Sequence, residues 1–416
     1  METVQFLESL LGLLFLVCYA YQFIYMLIAC IPQRKKPPAD ETLHRYAILI
    51  CARNEQDVIG DLLDSIRTQN YPDSLIKTFV MADNCTDATA ARARARGAIV
   101  YERNDPARVG KGYALDALLR QIAREHPDRF DGYFVFDADN ILRYDYIDRM
   151  NAVFSEGFDV VTSYRNSKNY GDSWISAGYA LWFLRDSVFG NEARYRLKTS
   201  AVVAGTGFLF SNRLLKKQGG WPFHTLTEDT EFTVHHVLNG VTIGMARDAV
   251  FYDEQPSSFL QSWRQRMRWS KGYLQVYARY GAELVKGIRG GSFACFDLLM
   301  MITPAYALSV AGILLWCVEL LLCILHGNAL LAVWSAARGL MSMYGTLFFV
   351  GACTMLSEHR HIRAKPSRKL LSLFTFPLFM FTYIPISVAA LFCRVEWKPI
   401  HHRVTAAQAG FDLLHQ

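Results

Sequence analysis

The sequence predicts an α/β domain placed between membrane-spanning segments. Between residues 40 and 250, short β-like runs alternate with runs of helical spacing. This alternation is typical of a mostly parallel sheet with helices on both faces. Outside this region, long apolar runs occupy residues 5–31, about 296–325, 329–356 and 371–393. Each run is long enough to cross, or nearly cross, the roughly 30 Å hydrocarbon core of a bilayer.

The middle region reads as strands and helices in turn. Residues 58, 59, 62, 63 and 66 are apolar, which is the spacing of one helical face. A later helix should stop at Gly97, because glycine commonly ends helices. In chain order we predict strands at 46–52, 77–83, 98–102 and 132–139, and helices at 56–69, 86–97 and 112–126.

The first apolar run predicts a retained membrane anchor. Residues 5–31 contain one acid, Glu8, and no base. The run is too long for the core of a signal peptide, and no basic segment precedes it. The basic residues Arg34, Lys35 and Lys36 follow, which by the positive-inside rule places the middle domain in the cytoplasm. We therefore expect a multi-pass protein of the plasma membrane.

The charge pattern favours a lipid surface as a partner. The net charge is +6, and much of it lies beside the apolar runs, including the loop 358–369. Such clusters contact anionic lipid and set topology, so we expect no nucleic acid partner. The predicted units are an anchor at 1–36, an α/β domain at 37–254, interface helices at 255–292, a membrane region at 293–395 and a tail at 396–416.

The last apolar run leaves two topologies open. Three full crossings after an outside N-terminus would put the C-terminus outside as well. However, Pro377 and Pro385 interrupt the run 371–393. It is therefore either a full crossing or a re-entrant element that returns to the cytoplasmic side.

Acidic residues at the predicted strand ends suggest a cation site. Asp137 and Asp139 flank one residue after a very apolar strand, and oxygen-rich sites suit Mg²⁺ or Mn²⁺. An isolated D-x-D triplet also arises by chance. Glu55 and Asp83 end two other strands, and parallel strand ends share one crevice. The nine cysteines show no C-x-x-C spacing, so we predict no zinc site.

Two further motifs allow a structural and a functional interpretation. Thr227 before Glu228 and Asp229 is typical of a capped helix start, but Asp229 could equally act as a general base. Lys111, between two glycines at a helix start, is either a simple surface charge or a phosphate neighbour.

The motifs together resemble a known family. ICARNE, ADNCTD, GKGYAL, FDAD, TED and QRMRW occur in this order over residues 45–275. This series resembles the membrane-bound family 2 glycosyltransferases, which include cellulose, chitin, hyaluronan and poly-N-acetylglucosamine synthases. The Q-x-x-R-W pattern downstream of T-E-D is more specific than either acidic motif. The resemblance implies a GT-A fold, a Rossmann-like sheet that binds a UDP-sugar with a divalent cation.

The resemblance also implies roles for individual residues. Asp229 matches the catalytic base, with Glu228 beside it, and Asp139 matches the metal ligand. Trp397, in a loose match, would belong to a gating segment. Nucleotide-sugar binding falls to Glu55, Asp83, Lys111, Asp137, Gln265 and Arg268, and acceptor binding to Trp269, Gly205, Thr206 and Gly207, although 203–210 also reads as a glycine-kinked strand.

Three functions follow from this pattern. The first is a processive, inverting synthase that elongates a β-linked polysaccharide and passes it through its own spans, which QRMRW favours. The second is a transferase that adds one sugar to a lipid or lipid carrier, which the small number of spans favours. The third, a transporter with a sensing domain, finds little support because the apolar runs contain few charges beyond Asp297, Glu319 and Arg338.

Overall fold

The computed structural model of the protein describes residues 2–32, 42–327, 329–396 and 402–411. Trp397, for which a gating role was predicted, and the basic residues 34–36 lie outside these ranges.

A mixed eight-stranded sheet forms the centre of the described chain. Its strands are β1 Tyr46–Ala52, β2 Ile76–Asp83, β3 Ile99–Arg103, β4 Gly132–Asp137, β5 Ile141–Leu142, β6 Val160–Ser167, β7 Phe208–Ser211 and β8 Ile243–Asp253. The strand order is β3-β2-β1-β4-β7-β6-β8-β5. The first four strands pair in parallel, as predicted. In the other half, β7 runs antiparallel to β4 and β6, while β6 and β8 are parallel.

Fifteen α-helices are present in the described residues. They are α1 Glu2–Cys30, α2 Ile59–Arg67, α3 Thr89–Ala95, α4 Lys111–Glu125, α5 Tyr146–Ser155, α6 Trp174–Arg185, α7 Glu192–Arg196, α8 Asn212–Gln218, α9 Glu228–Leu238, α10 Phe259–Arg289, α11 Phe293–Ile302, α12 Pro304–Leu325, α13 Ala329–Glu358, α14 Pro366–Phe381 and α15 Tyr383–Phe392. Helices α2 and α3 begin three residues later than predicted. The residues before them form strand-end loops, in which Asn54 and Asn84 have positive φ angles of 57° and 53°.

Both faces of the sheet are covered, which explains the apolar character of its strands. In β1, Ile48 and Ile50 pack on the face that α2 covers, and Ala47 and Leu49 pack on the face of α4. A strand buried on both faces shows continuous apolar sequence in place of alternation. The carboxyl ends of β1, β2 and β4 therefore meet at one edge of a rigid layer.

Four helical segments are long and apolar enough to cross a membrane. By length and composition they are Gly12–Cys30, Tyr306–Leu325, Leu330–Glu358 and Pro366–Phe392. The last consists of two helices, α14 and α15, which meet at Thr382. The sequence prediction of four such segments is confirmed, and the break in the last one lies between the two prolines that predicted it.

A buried ion pair joins α1 to the α/β domain. Arg194 donates to both oxygens of Asp297, at 2.6 and 3.1 Å, and the hydroxyls of Tyr21 and Tyr25 donate to the same carboxylate at 2.9 and 2.8 Å. Arg196 donates to the carbonyl oxygens that end α1. These contacts tie α1 and α11 to α7 of the α/β domain.

Candidate functional site

One cavity of about 1020 Å³ runs from the strand ends into the space between the membrane helices. Residues of the sheet edge, of α9 and α10, and of α1, α12 and α13 line it. The predicted site residues that line this cavity are Glu55, Asp83, Lys111, Asp137, Asp139, Gly205, Glu228, Asp229, Gln265, Arg268 and Trp269.

Thr206 and Gly207 lie behind this wall. The Thr206 hydroxyl accepts a hydrogen bond from the backbone N–H of Asp137 at 2.8 Å and donates to Asn140. Gly207 has a φ of 66°, and a Cβ there would lie 2.2 Å from the ring of Phe251. Their contacts fix the end of β4, and the kinked-strand interpretation agrees with β7 beginning only at Phe208.

Lys111 connects the strand end to the neighbouring loop. Its ammonium group, at the start of α4, forms an ion pair with Asp137 and donates to the carbonyl oxygen of Gly205 at 2.8 Å. The cation thus points into the cavity and not to the surface, which excludes the surface-charge interpretation.

Asp139 lies among several charges at the same edge. One carboxylate oxygen accepts a hydrogen bond from the backbone N–H of Glu254 at 2.7 Å. Burial alone would raise its pKa, but the positive charges of His402 and Lys168 and the Glu254 N–H outweigh burial and lower it. Asp139 therefore stays ionised.

Asp253, which was not predicted, adds a carboxylate at the end of β8. Arg165 donates to it at 2.7 Å. Burial raises the pKa of Asp253 to about 6. The positive charge of Arg165 opposes this increase, and the negative charge of Asp139 adds to it. The negative charge at the strand ends is therefore only partly compensated by the chain.

A cation at this edge would need ligands from outside the chain. No group of three or more His, Cys, Asp or Glu side chains in the described ranges could hold a metal ion. The second oxygen of Asp139 accepts one long hydrogen bond, from the Asn140 amide at 3.4 Å. The carboxylate oxygens suit Mg²⁺ or Mn²⁺, which bind few protein ligands when phosphate oxygens complete the shell.

The C-terminal tail reaches the strand ends through His402, the last residue of the segment 396–402 that loosely matches a gating segment. Nδ1 of His402 lies 3.0 and 3.1 Å from the carboxylate oxygens of Glu55. Burial lowers the pKa of His402, but Asp139 and Glu55 outweigh this effect and raise it to about 10. The tail continues across the domain, where Phe411 packs on Tyr252 with ring centroids 4.6 Å apart.

Glu228 and Asp229 form the first turn of α9. The expected cap is absent, because the hydroxyl of Thr227 is buried and has no hydrogen-bond partner. Burial and Asp229 raise the pKa of Glu228 to about 7, and Lys111 and Arg268 oppose them. Asp229 borders the cavity but is enclosed by protein, and this loss of solvent raises its pKa too. A Cβ on Gly205 would lie 3.5 Å from its Oδ2.

The pentamer QRMRW lies in α10, and its helical spacing sends its side chains to different surroundings. Gln265, Arg268 and Trp269 line the cavity, as expected for positions i, i+3 and i+4. Arg268 makes no hydrogen bond to a described residue. Trp269 also packs against Tyr179, with ring centroids 5.7 Å apart.

Arg266, in the same pentamer, is fully buried away from the cavity lining. It donates to the carbonyl oxygen of Phe379 at 3.2 Å and to the hydroxyl of Thr382 at 2.6 Å. These acceptors lie where α14 gives way to α15. One arginine of the motif thus fixes the helix break, while the other faces the cavity.

Comparisons with known proteins agree with this architecture. The family model described as glycosyltransferase like family 2 matches residues 44–272. The β-monoglucosyldiacylglycerol synthase of Synechocystis sp. is 26% identical, over 57% of this chain and 49% of its own. The poly-β-1,6-N-acetyl-D-glucosamine synthase of Staphylococcus epidermidis is 24% identical, over 56% and 55%. A solved mannosyltransferase from Pyrobaculum calidifontis, in complex with GDP-Man and Mn²⁺, is 16% identical over 93% of this chain and 99% of its own, with a TM-score of 0.58.

The sequence matches and the structural match cover different shares of the proteins compared. The matched segments span about half to three fifths of the length of the first curated relatives. The structural likeness extends over almost the whole chain and confirms the predicted GT-A type of α/β sheet with flanking apolar helices.

Proposed function

The chain belongs to the family described as glycosyltransferase like family 2, and on this premise we propose that it transfers a hexose from a UDP-sugar to an acceptor held between its membrane helices. The observation that carries this proposal is the single cavity, which contains the strand-end carboxylates, Asp229 and Arg268 at one end and membrane helices at the other.

Asp229 is the proposed general base. An acceptor hydroxyl is a poor nucleophile, and removal of its proton in the transition state typically contributes about 10² to 10⁴ in rate. Asp229 has a raised pKa and borders the cavity beside Gly205, where the absent side chain leaves room for a sugar or alcohol. The acceptor oxygen would attack the anomeric carbon opposite to the leaving diphosphate, so the linkage would be inverted.

The strand ends and α10 are the proposed donor site. Glu55 and Asp83 lie where the nucleoside would bind, and Lys111 and Arg268 supply positive charge for the diphosphate. A divalent cation bound at Asp139 would neutralise further negative charge on the leaving group. Asp137 positions Lys111, and Gln265 lines the same wall.

The acceptor end of the cavity favours a lipid. Its lining between the membrane helices is mainly apolar and includes Phe23, Met300, Leu308, Ile313, Leu340 and Met343. A polysaccharide would have to leave water without matching hydrogen-bond partners on this wall, which is costly, whereas acyl or prenyl chains gain from burial. The motifs alone favour the polymer through QRMRW, whereas the apolar lining favours the lipid, and the similarity to a glucosyldiacylglycerol synthase supports this second choice.

Product analysis tests this proposal. The purified protein in vesicles would receive a panel of UDP-sugars with Mg²⁺ or Mn²⁺, and released UDP would be measured. Thin-layer chromatography would then detect glycolipid, and gel separation would detect polymer. We expect one UDP-sugar to give a lipid with a single added sugar. A polymer formed without a lipid product would contradict the lipid acceptor and restore the processive synthase.

The contacts of the tail also favour a re-entrant last segment. Glu358, at the end of α13, accepts a hydrogen bond from Tyr164 of the sheet, and the tail docks on the same domain through His402. Both flanks of 366–392 therefore lie beside the α/β domain. We propose three crossings, a cytoplasmic α/β domain and a cytoplasmic tail. Labelling of a single cysteine placed at position 405 should occur only from the cytoplasmic side, and labelling from outside would contradict this topology.

A further inference from the structure

The wall of the cavity outside the donor site includes several polar side chains, of which Arg185 is one. Arg185, the last residue of α6, is buried and lines the cavity together with Gln22 of α1 and Asp186. None of these residues belongs to the donor site or to the predicted motifs. A guanidinium in an apolar cavity must find hydrogen-bond acceptors, because an unpaired buried charge is costly.

Three arginines within residues 185–196 differ in the number of hydrogen-bond and ion-pair partners that they have. Arg194 is paired with Asp297 through two hydrogen bonds, and Arg196 is paired with Glu192 at 2.7 Å and with the end of α1. Among the described residues, Gln22 is the one side chain to which Arg185 donates a hydrogen bond. Its nearest carboxylate, Asp186, is 4.0 Å away and also lies 3.7 Å from Arg194.

Arg185 therefore retains donors that face the cavity. A guanidinium has five N–H groups in a planar fork, which fits two oxygens of a phosphate. Its guanidinium carbon lies 5.3 Å from the centroid of the Trp182 ring. Burial lowers the pKa of Arg185, the carboxylate of Asp186 opposes this effect, and the positive charge of Arg194 adds to it.

This group is connected to the catalytic end of the cavity. Tyr273 of α10 lines the same cavity as Arg185 and Asp229. Burial raises the pKa of Tyr273, and the carboxylates of Asp229 and of Asp186, the neighbour of Arg185 in sequence, add to this effect. A ligand fixed at Arg185 would therefore lie in the cavity that Asp229 borders.

We infer that Arg185 binds the phosphate of a hydroxyl-bearing phospholipid, so that its headgroup hydroxyl reaches Asp229. This inference rests on the proposed lipid glycosyltransferase function and names its acceptor class. In the transfer step, the headgroup oxygen bonds to the anomeric carbon of the donor, its proton goes to Asp229, and the bond to the UDP oxygen breaks. The guanidinium does not take part in this exchange, and it acts by positioning the lipid.

The test compares two acceptors in the full-length protein. Vesicles would contain either phosphatidylglycerol or diacylglycerol, with UDP-sugar and Mn²⁺, and kcat/KM would be measured for each lipid. We expect Arg185→Gln to lower the phosphatidylglycerol to diacylglycerol ratio by about ten- to one-hundredfold, the usual range for a lost charged hydrogen bond. Arg185→Lys should recover part of the ratio. An unchanged ratio in Arg185→Gln would overturn the inference.

A matched control and a binding measurement separate the possible failures. Arg196→Gln removes an arginine of the same segment that does not line the cavity, and the ratio should stay as in the wild type. Binding of phosphatidylglycerol, measured by native mass spectrometry, should weaken in Arg185→Gln and not in Arg196→Gln.

The outcomes distinguish the proposed function from the proposed site. Binding that depends on Arg185 without any lipid product would disprove the proposed function but would support the binding site. If sugar transfer to lipid and phosphatidylglycerol binding are both the same in Arg185→Gln as in the wild type, the binding site would be disproved but the proposed function would stand. Glycerol phosphate is then added as a competitor in the binding measurement. If it displaces phosphatidylglycerol as effectively as the phospholipid itself does, the site binds a free phosphate, and this would contradict the lipid ligand.

Discussion

At the strand-end side of the cavity, carboxylates are only partly compensated, whereas the carboxylate that joins the membrane helices is fully satisfied. The pKa values of Glu55, Asp253 and Glu228 are raised by burial despite the cations near them. Asp297, by contrast, accepts four hydrogen bonds from Arg194, Tyr21 and Tyr25. The comparison teaches that the first end is built for a charged ligand and the second for stability.

The largest expected effect is on the transfer rate when Asp229 is replaced. Asp229→Asn keeps the shape of the side chain but removes the base, so the transfer rate should fall by about 10²- to 10⁴-fold. Binding of the UDP-sugar should change little, since Asp229 is not a proposed donor ligand. Radiolabelled transfer and calorimetric titration measure the two quantities. Turnover near that of the wild type would remove Asp229 from the role of base.

The next prediction concerns the contribution of the Arg194–Asp297 pair to the stability of the protein. Asp297→Asn leaves buried Arg194 without its hydrogen-bonded carboxylate and with only the more distant Asp186, at 3.7 Å, as a described counter-ion. Removal of one partner of a buried pair typically costs about 3–5 kcal/mol. The free energy of unfolding in detergent should fall accordingly. Glu319→Gln is the control, because glutamine can still accept the hydrogen bond from Ser335, and its cost should be smaller. Equal stability of Asp297→Asn and the wild type would show that the pair is dispensable.

The strand-end side was largely predictable, and the reason is topological. Glu55, Asp83 and Asp137 end parallel strands, and such ends must meet at one edge. Asp253 could have been found by the same rule had β8 been recognised. It was missed because β5 and β7, its companions in that half, have only two and four residues, too few for a periodic pattern.

The contact between His402 and Glu55 was not predicted, for a different reason. His402 lies 347 positions from Glu55, and no local pattern specifies such a contact. Arg185 was missed because an arginine at the end of a helix is ordinarily exposed. Its burial depends on α1, which packs against residues 186–196 and supplies Gln22, and this is a tertiary effect. The residue proposed to position the acceptor is therefore among the hardest to predict from the sequence.

A smaller effect is expected from detaching the tail. His402→Ala removes a positive charge that faces Glu55 and Asp139, which increases repulsion of the donor diphosphate. We expect the KM for the UDP-sugar to rise about tenfold, on the order of one charged hydrogen bond, with a smaller change in kcat. Thr405→Ala, in the same tail but outside the cavity lining, should leave KM unchanged. A KM that is insensitive to His402 would show that the tail packs beside the site without contributing to donor binding.

The smallest expected effect is a shift in pH dependence, and it concerns Glu228 beside the base. Asp229 must be ionised to accept a proton, and its raised pKa means that it protonates at a higher pH than an ordinary aspartate. As the pH decreases, kcat/KM should therefore begin to fall at a higher pH than it would with an ordinary aspartate as the base. Glu228→Gln removes one of two adjacent negative charges, so Asp229 should lose its proton more readily. The acid limb of the kcat/KM profile should then move to lower pH by roughly one unit. A limb that stays in place would mean that the two carboxylates titrate independently and that the enclosed position of Asp229 alone raises its pKa.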